Sequence, residues 1–311
     1  MADLDIGFLQ ATTGGAIRAG TPLLFAAVGE LIYERSGVLN LAIEGMMLVG
    51  AMTGVAAQLA WGSWPLAFFV ALVAGGLFGL LHGVVCTNLR ANQIATGLAL
   101  MTLASGLTAF LGRNLVGQRL VVELPAGIPW LESLPWLGPA LFRHDFLVYV
   151  AFACASASWF FLYRTRPGVT LRAVGEDAQT AAARGLPVVK IRLIAGAVAG
   201  GFCALGGAHL ALAYASQWQE GMTAGRGWIS LVLVICSLWR PRLLILYAYL
   251  FGGLSALQLN LQAAGLAVSS YLLGMMPFLA SLGVLVAANL WLRGRPLGMP
   301  ADLAKPFRPI E

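Results

Sequence analysis

The sequence predicts an all-α fold: a polytopic transmembrane helical bundle of about nine spans, N-terminus out and C-terminus in. Three observations lead there. Hydrophobic residues fill 59% of the 311 positions and charged residues only 10%, with a mean hydropathy of +0.82, whereas soluble domains carry about a quarter charged residues. Apolar runs of roughly 18 to 25 residues recur along the chain, each long enough to cross a hydrocarbon core of about 30 Å. The alternating segments of about ten residues that mark a membrane β-barrel do not occur in the sequence.

In order, the hydrophobic pattern places spans at about 14–33, 40–60, 65–88, 91–112, 146–163, 191–214, 223–239, 243–263 and 268–292. The start, MADLDIGFLQ, has acids where a cleaved signal has a basic n-region, so the first span is expected to direct insertion. The seventh span contains Arg226 and has a short fully apolar part, which makes a broken or re-entrant segment an alternative reading.

Basic residues set the orientation. The stretch YRTRPGVTLRAVGEDAQTAAARGLPVVKIR, from Tyr163 to Arg192, holds Arg164, Arg166, Arg172, Arg184, Lys190 and Arg192 against two acids, Glu176 and Asp177. Its middle, Leu171 to Gly185, reads as one short Ala-rich helix flanked by glycine, suited to docking a soluble protein. Placing this loop (164–190) inside puts 14 of the 19 Lys and Arg residues on that side: these six, with Arg35, Arg90, Arg240, Arg242, Arg293, Arg295, Lys305 and Arg308. Arg18, Arg113, Arg119, Arg143 and Arg226 fall in or near the outer half. The split explains the basic pI near 9.5 without nucleic acid. Residues 1–292 therefore read as one membrane domain, and 293–311 as an extended, Gly- and Pro-punctuated cytoplasmic tail. The outer loop at about 113–145, with Pro125, Pro129, Pro135, Pro139, Trp130 and Trp136, reads as a proline-stiffened cap with aromatics at the interface.

Ionisable groups inside spans are candidate functional residues. The densest set is GELIYERSGVLNLAIEGMM, with Glu30, Glu34, Arg35, Asn40 and Glu44. Asn40 and Glu44, spaced i,i+4, are expected to share a helix face, and Gly37 and Gly45 beside them permit close approach or an unwound turn. Glu34 and Arg35 read as ordinary loop charges. Glu44 is balanced between a functional or specific buried pairing and solvation at a helix end. Asn88, Asn92 and Gln93 read as a helix–turn–helix with Asn caps. Gln258 and Gln262 share a face that either lines a polar pathway or hydrogen-bonds between helices. His82 and His209 read as satisfied core histidines, and Cys86, Cys154, Cys203 and Cys236 as small buried hydrophobes. EGMM (44–47) and EGMT (220–223) echo each other too briefly to define a repeat. The glycine stripes LVAGGLFGLLHG and GAVAGGFCALGGAHL suit closely packed helices, including ones that slide in a transport cycle.

The sequence has no phosphate-binding G-x-x-x-x-G-K-[ST] loop, no H-E-x-x-H and no G-x-S-x-G elbow. It therefore does not read as an ATPase, a metalloprotease or a serine hydrolase, and no cofactor is implied.

Three stretches together resemble the membrane permeases of ATP-binding-cassette importers, in the branch for ribose, branched-chain amino acids and nucleosides. They are TPLLFAAVGELIYERSGVLNLAIEGMMLVGAMTG, LRAVGEDAQTAAARGLPVVKIR, and MTAGRGWISLVLVICSLWRP with FGGLSALQLNLQ. The form ERSGVLN followed by EGMM, and MTAGRGWI, look most like nucleoside (simple-sugar) permeases. Where members commonly carry Phe-Gly near the end of the seventh span, this chain has Cys236-Ser237-Leu238-Trp239, which bears on substrate more than on class. The resemblance implies no catalysis in this chain. It implies a separate cytoplasmic ATPase, a second related permease subunit, an extracytoplasmic substrate-binding protein, and a bacterial cytoplasmic (inner) membrane location in lipid. By resemblance, Arg172, Gly175, Glu176, Ala182 and Gly185 are expected at the ATPase contact. Glu30, Asn40, Glu44, Gln258 and Gln262 are expected in the pathway or gate. A ribose or branched-chain amino acid importer, a gradient-driven secondary carrier and a sensory membrane subunit remain alternatives.

Overall fold

The computed structural model describes residues 2–125, 127, 138, 141–263, 269–291 and 298–307. Its helices are α1 (Ala2–Glu34), α2 (Ile43–Trp61), α3 (Trp64–Gly83), α4 (Gln93–Gly112), α5 (Phe146–Arg164), α6 (Arg166–Glu176), α7 (Ala178–Ala183), α8 (Val188–His209), α9 (Arg226–Cys236), α10 (Pro241–Ala263), α11 (Ser270–Gly274) and α12 (Met276–Trp291). Among the described residues, seven helices are long and apolar enough to cross a membrane, and they match seven of the expected spans. The chain is a multi-pass membrane protein.

The other two expected spans differ. Residues 223–239 contain only α9, whose 11 residues measure about 16 Å, half a hydrocarbon core. The last span is broken at Met275 between α11 and α12. The helix expected from Leu171 to Gly185 is two helices instead. The Asp177 amide closes α6 by donating to Ala173, and the Asp177 carboxylate then caps α7 by accepting from the Thr180 amide at 2.8 Å. An aspartate in that role restarts a helix more readily than it continues one.

The centre is α8, packed against α1, α2 and α3. The two glycine stripes meet here. A Cβ on Gly79 would land on the Gly196 carbonyl oxygen, and one on Gly200 would meet the Gly75 carbonyl. A Cβ on Gly50 would strike Ala204, and one on Gly207 the Met47 carbonyl. Backbones this close gain dispersion contact that lipid does not displace. The α1–α10 crossing repeats the device at Gly20 against Ala248 and Gly252 against Ala16. On the opposite surface, α3 and α4 turn Phe69, Leu77, Leu103 and Phe110 outward, as a lipid-facing wall does. Two π-helical turns, Val84–Asn88 and Leu210–Tyr214, extend α3 and α8.

Of the two histidines expected in the core, His82 is paired, with Tyr33 Oη 3.1 Å from its Nδ1. His209 is buried with Nε2 3.4 Å from Asp145, but its ring makes no hydrogen bond to any described residue. Asn92 caps α4 by accepting from the Ala95 amide at 3.1 Å. Pro129, Pro135, Pro139, Trp130 and Trp136 of the expected outer cap lie outside the described residues, as do Arg293, Arg295 and Arg308 of the tail.

Gly79→Val is expected to lower stability by about 1–3 kcal/mol through overpacking, read as a fall in thermal midpoint of the purified protein. Gly106→Ala, with open space around its added carbon, should leave the midpoint unchanged.

Candidate functional site

Glu44 organises the interior. It stands in the first turn of α2, yet α2 does not begin at the membrane surface. Residues 35–42 turn back alongside α1, so that Ala42, Ile43, Met46 and Met47 pack with Ala26 and Cys203. Ala26 precedes Glu34 by eight residues, about 12 Å along α1. At that depth the buried Glu44 carboxylate receives three donors from the start of α9. Oε1 accepts from Thr223 Oγ1 at 2.6 Å and from the Gly225 amide at 2.8 Å, and Oε2 accepts from the Gly227 amide at 2.6 Å.

This satisfies amides that a helix N-terminus leaves orphaned, and it sets a negative charge at the positive end of the helix dipole. The sequence TAGRG makes the contact possible. Gly225 takes φ 84°, a left-handed backbone that favours glycine. A side chain on Gly227 would press within 2.5 Å of the Glu44 backbone. Arg226 folds back to donate to the carbonyls of Met222 and Thr223, both at 3.2 Å. The seventh expected span is thus broken: an irregular stretch, 215–225, leads into the short helix α9.

A second polar cluster closes the end of the bundle where α1 finishes. Glu30 accepts from Asn40 Nδ2 at 2.9 Å and from the Asn40 amide at 3.3 Å. Glu34 accepts from Trp239 Nε1. Arg35 donates from Nε and Nη2 to the Trp239 carbonyl at 3.2 and 2.8 Å, and from Nη2 to Tyr163 Oη at 3.2 Å. Leu238 and Trp239 both take positive φ, 53° and 54°, in the stretch where resembling permeases carry Phe-Gly. Arg35 holds that left-handed turn in place. Two expectations are corrected here. Glu34 and Arg35 are not loop charges but are buried at 1% and 7% exposure. Asn40 and Glu44 do not share a helix face: Asn40 precedes α2, and its Oδ1 accepts from the Ala42 amide at 2.9 Å, a local turn that competes with helix.

The basic segment rests on this end. Gly175 is buried, and a Cβ there would strike the Arg35 carbonyl. Arg172 donates from Nε to the Leu162 carbonyl at 2.9 Å and lies over the Tyr163 ring. Ala182 is half-buried beside Val174, Ala178, Ala181 and Phe307. Glu176 and Gly185 are exposed. Residues 298–307 of the tail lie against the segment. The Asp302 amide donates to the Gly175 carbonyl at 3.0 Å, Asp302 Oδ2 accepts from the Ala178 amide at 2.8 Å, and Glu176 accepts from the Ala301 amide at 3.3 Å. Gln93 joins the two turns, accepting from the Leu39 amide at 2.7 Å and donating to the Lys305 carbonyl at 3.3 Å. The Thr180 hydroxyl and amide hold the Asp177 carboxyl below its ordinary range. Burial pushes the Arg35 guanidinium down, with Tyr163 and Glu176 opposing.

Gln258 and Gln262 are half-buried on α10, with Gln258 against α11 at Gly274. Asn260 between them donates to Thr12 Oγ1 at 2.8 Å. The residues that sequence reasoning missed are Thr223, Trp239, Gln93 and Asp302. All act across long sequence separations: Thr223, Gln93 and Trp239 stood out in the sequence for local reasons only, and Asp302 did not stand out at all.

Residues 13–281 match the family described as branched-chain amino acid transport system / permease component. The chain belongs to this permease family. It is 42% identical over 266 residues to a protein of Haloferax volcanii provisionally named a glucose ABC transporter permease, covering 84% of this chain and 80% of the relative. It is 34% identical to the guanosine ABC transporter permease protein of Bacillus subtilis (71% and 73% covered) and 33% identical to the nucleoside ABC transporter permease protein of Lactococcus lactis (79% and 81%). No solved structure gives a significant match.

Glu44→Ala strands three buried donors and is expected to cost the permease about 3–5 kcal/mol. Glu44→Gln, which keeps one acceptor, should cost less. Thermal unfolding in detergent reads the order, and equal midpoints for the two variants and the native permease contradict it.

Proposed function

We propose that this chain is the membrane subunit of a nucleoside importer driven by a separate cytoplasmic ATPase, in the cytoplasmic membrane of a bacterium. The observation that carries this reading is the family match over residues 13–281, with relatives named for guanosine and nucleoside transport. In this reading the chain crosses the membrane nine times, N-terminus out. It counts α9 with the irregular stretch before it as the seventh crossing and α11–α12 as the ninth. Residues 1–292 form the permease domain, with 164–190 as its coupling loop and 293–311 as a cytoplasmic tail. A second related permease subunit completes the pathway, and a binding protein delivers solute outside.

The geometry supports a division of labour. The ATPase docks on α6 and α7 through the exposed Glu176 and Gly185, with Ala182 at the edge. Gly175 and Arg172 act from beneath, tying the platform to the Arg35–Gly37 turn and to α5. Movement of the platform then reaches Glu30, Asn40 and Trp239 at the inner gate through contacts already described. Half-helices capped at mid-membrane are a recurrent way to build alternating access, and Glu44 serves here as a structural cap rather than a solute ligand.

A glucose importer is the second reading, favoured by the 42% identity to the provisionally named glucose permease. Uptake of labelled guanosine, uridine, glucose and leucine, with the partner ATPase intact or disabled in its P-loop lysine, separates the readings. Guanosine or uridine uptake lost with the disabled ATPase is the expected result. Glucose uptake lost in the same way selects the second reading, and uptake that persists makes the chain a gradient-driven carrier.

Glu176→Arg is expected to abolish solute-stimulated ATP hydrolysis while lowering the thermal midpoint only slightly, because Glu176 is exposed and loses one long hydrogen bond, to the Ala301 amide. Retained stimulation contradicts its place at the ATPase contact.

A further inference from the structure

A cavity of about 350 Å³ opens beside the N-terminal half of α1, lined by Gly15, Arg18, Tyr214, Ala256, Leu259 and Asn260. Its volume lies in the range of about 300–1,000 Å³ typical of small-molecule sites. Two features argue against a lipid-facing cavity. Arg18 lies within the first span and its side chain is exposed, and arginines within spans almost always face a bundle interior or a water-filled cavity. Tyr214 is the last residue before the irregular stretch 215–225, whose non-helical backbone needs protein or water around it. That stretch leads to Gly225 and the half-helix that Glu44 caps.

The lining also has a definite chemistry. Arg18 supplies only donors, and Tyr214 a hydroxyl that donates or accepts. The Asn260 Nδ2 is taken by Thr12, which leaves its carbonyl oxygen as the acceptor end. Gly15, Ala256 and Leu259 form an apolar wall. Among the described residues no carboxylate lines the cavity, and both Glu44 oxygens are occupied by donors, so no described group offers an ammonium a counter-charge. Hydroxyl-rich rings suit such a wall: their hydroxyls pair with both donors and acceptors, and their faces lie on apolar carbon.

Resting on the permease reading above, we propose that this cavity is an outer subsite of the solute route. It takes a neutral, hydroxyl-bearing ring compound such as a nucleoside or hexose, and not a zwitterionic amino acid. Arg18, Tyr214 and Asn260 are its polar contacts.

The test uses the complete importer in lipid vesicles with Leu259→Cys, an exposed position on the apolar wall, labelled by a membrane-impermeant methanethiosulfonate. Cys86, Cys203 and Cys236 are buried and Cys154 is half-buried, so the native permease gives the background. Labelling is expected. Guanosine or glucose at about twice its dissociation constant for the reconstituted permease should slow it about threefold, following the mass-action factor, and leucine should leave it unchanged. The guanosine and glucose arms distinguish the two ring classes. Absence of labelling, which means that a partner permease or lipid covers the site, overturns the proposal. Labelling that neither ring compound slows, or that leucine slows equally, also overturns it. ATP-driven uptake by native vesicles is read in parallel: uptake with unprotected labelling sinks the subsite alone, and absence of all uptake sinks the permease reading.

Discussion

One carboxylate inside the membrane holds the architecture together. An ionised Glu44 in hydrocarbon is costly by itself, and the first turn of a half-helix in the same place leaves amides that no water reaches. Each problem is the other's solution. Thr223, Gly225 and Gly227 donate to Glu44 at 2.6–2.8 Å, so two unfavourable elements are stable only together. From this contact follow the irregular stretch 215–225, the short α9 and the turn at Trp239, which in turn is gripped by Arg35 and Glu34.

Around that junction the structure relies on close packing. Lipid tails are as apolar as leucine, so bulk hydrophobicity does little to draw one membrane helix to another. The glycine rows on α3 and α8, and the Gly20–Ala248 and Gly252–Ala16 contacts between α1 and α10, draw the backbones together instead. Such interfaces have few side chains to unlock, which suits helices that shift against each other. The end where α1 finishes is built differently. There Gly175, the Arg35–Gly37 turn, Gln93 and Asp302 form a hydrogen-bonded plate, so displacement of α6 and α7 is passed on rather than absorbed.

Much of the fold was legible in the sequence because hydrophobic run length follows from the bilayer itself. Seven of the expected spans lie within a few residues of the helices. The glycine stripes announced their close contact, and His82 its core partner. What failed was local continuity. Spacing alone put Asn40 and Glu44 on one face, but the Asn40 side chain bonds its own backbone and Glu30, so the helix starts at Ile43. Composition alone made Leu171–Gly185 one helix, but Asp177 caps a second. The site was half legible. Glu44 stood out as a charge in an apolar run, whereas its partners lie about 180 positions away (Thr223 by 179), and no local pattern encodes that pairing. Arg35 looked like a loop charge because sequence does not show that its loop folds back into the protein.

The contact between Glu44 and α9 is most directly examined by hydrogen exchange over residues 219–230 of the native permease in lipid nanodiscs. If the carboxylate holds the half-helix at mid-membrane, the Gly225 and Gly227 amides exchange as slowly as those in the middle of α8. Exchange at the rate of an open loop contradicts the account, since it leaves the half-helix without its cap and the irregular stretch before it without its anchor.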